Sequence, residues 1–510
     1  MSHRAQITRR TAGLLCGLTL AAVTALPVNA AEMSAARSER DVVPPAPVET
    51  HQTIRLANGR LDHIAEVGRV AIRDVETTEA LGYMGYIAYR VPSRSPRPLI
   101  FVWNGGPGAN SATLHFEVAG PRRGEGDHLV DNAETWLTGA DLVFVDPIGT
   151  GFSRPTSTQA ADEFYGTVGD VASVAEFVRS WLLLHDAQDR PVFLAGESWG
   201  AGRAASVGYR LLRQGVPIKG LILISGGDGL NTIRLPSETA TALRVVDLAP
   251  VTLFHGKLPA ELGTTAEAAR AAAETWARTT YEPALARRAE LTDIERDAAI
   301  SDLSRFTGVP ADQIDRATLT FTPRQHLRGL LQDQGKTLNI FDMRLTESPR
   351  EAFNPAIGRY LRRTLNYRTD LAYVGLDEVQ VGYAPHDRFP DSVGARWNYA
   401  TIEDASPEVV QAAISEAIRR GGGPPRIGPP LPATEDALAL SPTLKVLVAS
   451  GRYDSLASCA RDAATAQILP PALRAAMTYR CYEGGHMFYR DAATRLQFSQ
   501  DVADMVSTSR

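Results

Sequence analysis

Residues 191–202, PVFLAGESWGAG, constrain what this chain can fold into more than any other stretch. Positions 192–195 are a short apolar run of the kind that makes a buried strand. The run breaks at Gly196 and passes through Glu197, Ser198, Trp199 and Gly200. It then continues in small residues (Ala201, Gly202, Ala204, Ala205) suited to a helix packed closely on its neighbours. A strand, a G-x-S-x-G turn and a helix make an elbow that holds its serine in strained backbone. Neighbouring backbones come close there, so the flanking positions want glycine. The turn lifts the Ser198 hydroxyl clear of a sheet, with a helix N-terminus behind it that favours negative charge. Glycine is frequent in this chain, 42 of 510 residues, so the bare five-residue pattern counts for little by itself. Its weight comes from the strand before it and from the partners found elsewhere in the chain.

Other apolar runs end in loops in the same way. PLIFVW (98–103) runs into Asn104-Gly105-Gly106-Pro107-Gly108, which is neither strand nor helix but a shaped loop with bare backbone N–H groups. ADLVFV (140–145) ends in Asp146-Pro147-Ile148-Gly149-Thr150-Gly151-Phe152-Ser153, where Asp146 and Ser153 read as loop-shaping residues. An amphipathic helix is expected over 167–186. IKGLILIS (218–225) ends at Gly226-Gly227-Asp228, LKVLVA (444–449) leads to Asp454, and MTYRCY (477–482) leads to Gly484-Gly485-His486, with a closing helix over 490–506. Alternating strands and helices predict a mainly parallel central sheet with helices on both faces. Before it, 51–90 alternates in the manner of antiparallel edge strands. His63 and Glu66 have an H-x-x-E spacing but fall on opposite faces of such a strand, which reads as coincidence.

Between these blocks, 233–437 is rich in Ala, Arg and Glu with helical period, apart from DEVQVGY near Val379 and the hinge-like RRGGGPPRIGPPLP (419–432). It reads as a largely helical cap inserted between two sheet strands, dividing the sheet domain into 51–232 and 438–510. Glu435 and Asp436 read as solvated linker charges.

The first thirty residues do not belong to that fold. Arg4, Arg9 and Arg10 precede an apolar stretch (14–26) too short to span a bilayer comfortably, and Val28-Asn29-Ala30 offers a small-residue cleavage site. This is an export leader, of the general or the twin-arginine type, and 31–50 reads as a disordered arm. A periplasmic or secreted location is expected, with no stable membrane anchor. The formal charge of −5 implies neither nucleic acid nor an anionic membrane as partner. Cys16 is lost with the leader, and Leu15 before it is too large for a lipoprotein site. The remaining pair, Cys459 and Cys481, is expected to form a disulfide.

Acyl transfer at a serine needs a base to take its proton and an acid to orient the base, here in the chain order serine, acid, histidine. Of the histidines after Ser198, only His486 follows a strand and a glycine loop late in the chain; His255, His326 and His386 lie in the cap. Asp454 is the favoured acid, with Asp228 as its rival. The cysteines agree, since Cys459 lies five residues after Asp454 and Cys481 five before His486. An oxyanion needs two aimed donors, for which the N–H groups of Trp199 and Gly106 are the candidates. No metal or other cofactor is expected.

The blocks WNGGPG (103–108), DPIGTGFS (146–153), GESWG (196–200) and GGH (484–486) resemble the signature blocks of the serine carboxypeptidase family, over roughly 97–230 and 440–490. The resemblance implies an α/β-hydrolase fold with a cap, and peptides with a free C-terminus as substrates. It further implies that the Asn104 side chain, the Gly105 N–H and Glu197 hold the substrate's terminal carboxylate. A serine esterase or acyltransferase on the same scaffold is the alternative, and a non-catalytic binding protein a third. The chain departs from the family in three places. Ala109 stands where many members have cysteine, and Trp199 where they have tyrosine. Val118, beside Glu117, stands where they often have a second glutamate.

Overall fold

The computed structural model describes residues 45–347, 354–375, 393–394, 396–402, 405–419, 425 and 427–508. The leader (1–30), His386 and the DEVQVGY segment lie outside the described residues, as do most of the arm and much of the 419–432 loop. Three long strands, β1 (Val48–Leu56), β2 (Gly59–Arg73) and β3 (Ala80–Arg90), form an antiparallel edge. The expected disordered arm therefore stops short of residue 50. Val48 to Thr50 already pair with Val67 to Ala65, because backbone donors and acceptors at the sheet edge are better satisfied by the ladder.

The remaining strands of the main sheet are β4 (Leu99–Trp103), β7 (Asp141–Asp146), β9 (Val192–Glu197), β10 (Ile218–Ile224), β11 (Lys445–Gly451) and β12 (Met477–Tyr482). A hairpin of β5 (Arg122–Glu125) and β6 (His128–Asp131) stands apart, and the short β8 (Arg154–Pro155) pairs with β3. The sheet order is β1-β2-β3-β7-β4-β9-β10-β11-β12. From β7 to β12 every neighbouring pair is parallel. This is the mainly parallel, helix-covered sheet of an α/β-hydrolase fold.

The central strands are apolar throughout because both faces are covered. Leu99, Phe101 and Trp103 of β4 face one core with Leu194, Leu221 and Val446. It is covered by α1 (Thr167–Leu184) and α2 (Trp199–Arg213), through Phe177, Trp181, Ala204 and Leu211. Ile100 and Val102 face the other core with Phe193, Ile222 and Leu447, under Phe498, Val502 and Val506 of the last helix, Ala492–Thr508.

The insertion is helical but does not behave as one cap. Helices α3 (Ser237–Phe254), α4 (Ala266–Trp276) and α5 (Asp293–Thr307) build a core of their own around Leu243, Val246, Ala273, Leu303 and Phe306. In contrast, Tyr360, Leu361 and Tyr373 pack on the second face of the sheet. The helix Thr434–Leu440 sends Ala437 and Leu438 into the first core, beside α2. The expected boundary at 437 is therefore too late, since this helix belongs to the sheet domain. Glu435 and Asp436 are not idle charges. Glu435 accepts N–H bonds from Asn231 (3.2 Å) and Thr232 (2.9 Å), tying the two ends of the insertion together, and Asp436 accepts from the Ala433 N–H.

Candidate active site

The site lies at the C-terminal ends of the parallel strands, where the loops after β4, β9, β10, β11 and β12 converge. Ser198 sits between β9 and α2 with φ 58° and ψ −127°, left-handed backbone that a non-glycine residue adopts only at a cost of about 1–3 kcal/mol. Close contacts hold it there. The Ser198 N–H donates to the Ile224 carbonyl at 2.8 Å, and the Trp103 indole donates to the Gly200 carbonyl at 2.9 Å. Gly105 lies flat against the turn, where an added Cβ would come within 2.5 Å of the Trp199 nitrogen and 2.6 Å of the Glu197 carbonyl oxygen. In that loop Gly106 alone of residues 104–108 is well exposed.

His486 and Asp454 meet because β11 and β12 continue to pair past their ends. The Arg452 N–H donates to the Tyr482 carbonyl (2.9 Å) and the Tyr453 N–H to the Gly484 carbonyl (2.8 Å). A side chain at Gly451 would collide with the Gly485 carbonyl, 1.9 Å from its Cβ position. Asp454 Oδ2 lies 2.7 Å from His486 Nδ1, both residues being buried, and Asp454 Oδ1 accepts the Leu456 N–H at 2.8 Å. The carboxylate thus fixes the imidazole tautomer that carries its proton on Nδ1. Nε2 of His486 is buried and has no hydrogen-bond partner among the described residues, the Ser198 hydroxyl included. Such contacts are often long in an unliganded site and close with substrate bound. Burial alone would lower the His486 pKa, but the bond to Asp454 and the charges of Asp454 and Glu197 raise it.

Asp228 stands elsewhere. It accepts from the Tyr479 hydroxyl (3.2 Å) and the Leu230 N–H (3.0 Å). His255 bonds the Met343 carbonyl, and His326 is a core residue whose pKa burial drives down to about 3. His63 is buried on the Leu61 carbonyl, while Glu66 pairs with Arg90 and His185. Asp146 accepts from the Ser111 N–H and hydroxyl, and Ser153 bridges the Asp146 carbonyl and the Gly85 N–H; both shape their loop.

Glu197 is buried directly before Ser198. Its Oε1 accepts from Asn104 Nδ2 at 3.1 Å, and its Oε2 accepts from the Tyr489 hydroxyl. Burial is the main cause that pushes its pKa up, to about 7, with Glu117 adding to it; His486, Tyr489 and Arg490 pull the other way. Asn104 is held at three points: Oδ1 by the Leu114 N–H, Nδ2 by Glu197, and its carbonyl by Arg203 Nη1 at 2.8 Å. Arg203 is itself buried against Asp170 of α1 at 2.6 Å. Trp199 packs edge-on against Trp397 (5.8 Å) and Tyr399 (5.7 Å).

Cys459 and Cys481 are joined in a disulfide, linking the segment after Asp454 to β12. Tyr489, Ser225, and the Asp170–Arg203 pair are site residues that sequence reasoning did not find. The one local signal was the position of Tyr489 three residues after His486. Among the described residues there is no cluster of side chains arranged to hold a metal ion, and no helix long and apolar enough to cross a membrane.

A family model described as serine carboxypeptidase matches residues 70–213. The serine carboxypeptidase-like 45 protein of Arabidopsis thaliana is 33% identical over 138 residues, 26% of this chain and 28% of that protein. The vitellogenic carboxypeptidase of Aedes aegypti is 30% identical over 164 residues, 30% of this chain and 34% of that protein. The matched part thus spans about a third or less of these relatives. Among solved structures, a homoserine O-acetyltransferase from Staphylococcus aureus aligns over 88% of this chain and 95% of its own, at 10% identity and a TM-score of 0.33. The fold assignment rests on the sheet order above and not on that likeness. The matched segment holds β4, the glycine loop, β9, the elbow and α2, and over it the chain is similar to the serine carboxypeptidase family.

Proposed function

We propose that the chain is an exported serine carboxypeptidase that removes one residue from a peptide's C-terminus through an acyl-enzyme on Ser198. The Ser198 oxygen attacks the scissile carbonyl while His486 Nε2 takes its proton and Asp454 steadies the imidazolium. The N–H groups of Trp199 and Gly106 receive the oxyanion. His486 then protonates the leaving amine as the C–N bond breaks; a water molecule deprotonated by the same imidazole attacks the acyl carbon, and His486 returns that proton to the Ser198 oxygen as the ester C–O bond breaks and the shortened peptide leaves. Throughout, the Asn104 amide, the Gly105 N–H and Glu197 hold the terminal carboxylate. The disulfide suits an oxidising compartment, in keeping with the leader.

One observation carries this reading: a buried carboxyl, Glu197, stands directly before Ser198 and shares a hydrogen bond with Asn104, and its burial pushes its pKa up to about 7. Two carboxylates tolerate one another when one holds a proton. Binding of a free C-terminus is therefore strong below about pH 7 and weakens as Glu197 ionises above it, whereas an amidated end is indifferent to that titration.

The test incubates wild type and Ser198→Ala with N-blocked peptides, free or amidated at the C-terminus, and follows products by mass spectrometry. Single-residue trimming of the free peptide, absent in Ser198→Ala, is expected. Equal attack on both peptides, or turnover of simple esters alone, would return the esterase alternative.

A further inference from the structure

Tyr489 is wholly buried, its ring edge-on against Phe488 at 5.6 Å, and its hydroxyl donates to Glu197 Oε2. The two oxygens of Glu197 therefore have different neighbours. Oε1 faces Asn104 Nδ2, whose orientation is settled because Asn104 Oδ1 is occupied by the Leu114 N–H at 3.0 Å. That amide nitrogen has two hydrogens, so one remains for a ligand on the same side. Oε2 faces the phenol.

In a neutral carboxyl one oxygen is a carbonyl and the other carries the proton, and the carbonyl oxygen is the better acceptor. Both oxygens meet a donor, but a phenol O–H donates more strongly than a carboxamide N–H, so Tyr489 makes Oε2 the carbonyl and sends the proton to Oε1, the Asn104 side. We propose that Tyr489 is a positioning residue for carboxylate recognition: its hydroxyl decides which Glu197 oxygen carries the proton and so aims it at the substrate's C-terminus. This rests on the proposed carboxypeptidase reading and names a residue that reading does not contain. It also gives the site a substitute for a second acid. Position 118 is a buried valine, and the neighbouring Glu117 is turned to Arg490, at 2.7 and 2.9 Å.

The groups that bear on Glu197 are few. Asn104 comes from the loop after β4, backed by the Arg203–Asp170 pair. His486, with Asp454, comes from the loops after β12 and β11. Tyr489 and the Arg490–Glu117 pair complete the set. Of these, Tyr489 and Asn104 hydrogen-bond the carboxyl directly. Donation by a hydroxyl favours the ionised acid, so loss of the Tyr489 bond raises the pKa of Glu197 still further.

The experiment measures kcat/KM against pH for matched peptides, free or amidated, with wild type, Tyr489→Phe, Glu197→Gln and the Tyr489→Phe/Glu197→Gln double variant. Active-site titration with a fluorophosphonate confirms competent Ser198 in each. For the free peptide, Tyr489→Phe is expected to move the alkaline limb up by about one pH unit. Its preference for the free over the amidated peptide at low pH should fall about tenfold. In the Glu197→Gln background the limb should be gone, and Tyr489→Phe should not restore it or add any pH dependence. A limb that stays at its wild-type position in Tyr489→Phe overturns the proposal. Should that variant not fold, a fluorinated tyrosine placed at 489 donates more strongly and should move the limb down; a limb that stays or rises overturns it. Absence of any preference for the free peptide in wild type would instead sink the carboxypeptidase reading itself.

Discussion

The Ser225 hydroxyl donates to the His486 carbonyl at 2.7 Å, and one residue earlier Ile224 receives the Ser198 N–H at 2.8 Å. Serine and histidine thus hang from consecutive residues at the end of β10. Ser225 is buried and held at φ 49°, so the strand end is bent to make the second bond. Replacing Ser225 by alanine leaves the His486 carbonyl short of a partner, a loss of about 1–3 kcal/mol. We expect kcat to fall about tenfold with KM little changed, because the imidazole is displaced while the carboxylate site is untouched. Steady-state kinetics beside a denaturation curve separates this from a general loss of fold.

The helical insertion holds the acid from the other side. Arg244 of α3 donates to the carbonyls of Ala457 (3.2 Å) and Ser455, and Asp247 accepts from the Ser458 hydroxyl and the Ala460 N–H. Together they clamp 455–460, directly after Asp454. Arg244→Met strips two carbonyls of their donor and takes from buried Asp247 the stronger of the two arginine charges that act on it, so a loss on the order of 3 kcal/mol is expected. Turnover of the folded fraction should also drop, since the clamp sets where Asp454 stands. Activity normalised to fluorophosphonate-reactive sites would contradict this if it equalled wild type.

The Cys459–Cys481 bond closes a loop of sequence separation 22 that lies between the acid and the histidine in the chain. In the chain-entropy model such a closure stabilises by about 3 kcal/mol. Cys481 is exposed, so mild reductant reaches it. Reduction, or the double change to serine, should lower the denaturation midpoint and slow turnover together. Lower stability with unchanged turnover would leave the bond a staple with no part in holding Asp454 and His486 in register.

Much of the site is readable from local pattern. The strands before Ser198 and Asp454 are apolar runs, and all three residues follow a strand and a glycine, a signal confined to a few residues each. Asp454 is favoured over Asp228 in the sequence but not separated from it, since both follow a strand; the structure pairs Asp454 with His486 and Asp228 with Tyr479. Tyr489 is hardly readable, because its partner Glu197 lies 292 residues away and the one nearby signal, its place three residues after His486, does not mark it as a donor. The same holds for Arg203, which as a helix residue looks solvated until Asp170 and the Asn104 carbonyl are seen around it. The insertion reads as one cap because helical period tells that a segment is helical, not which core takes its apolar face. Glu435 looks idle for a similar reason, since the N–H groups it binds belong to the far end of the insertion.

Burial of Glu197 has a consequence for stability that is independent of any substrate. Its folded pKa, about 7, stands above the ordinary value of 4.5, so the folded state prefers the neutral acid. A raised carboxyl pKa means that the native state binds more protons than the unfolded one, and stability falls as pH rises from about 4.5 to about 7. Over that window the cost is on the order of 3 kcal/mol. His486 acts in the same direction: its pKa is raised, so its contribution is full below about 6.5 and is lost as pH passes through the folded value. Glu197→Gln removes the first effect and the part of the second that comes from the Glu197 charge. The amide introduced by that change still accepts from Tyr489 or Asn104 through its one carbonyl. The variant should therefore gain on wild type with rising pH, from near parity or a deficit at pH 5 to an advantage at pH 8. Urea denaturation of both proteins at the two pH values measures the change; a difference that is the same at pH 5 and pH 8 would mean that Glu197 titrates in the fold as it does in the unfolded chain, and the basis for carboxylate recognition would go with it.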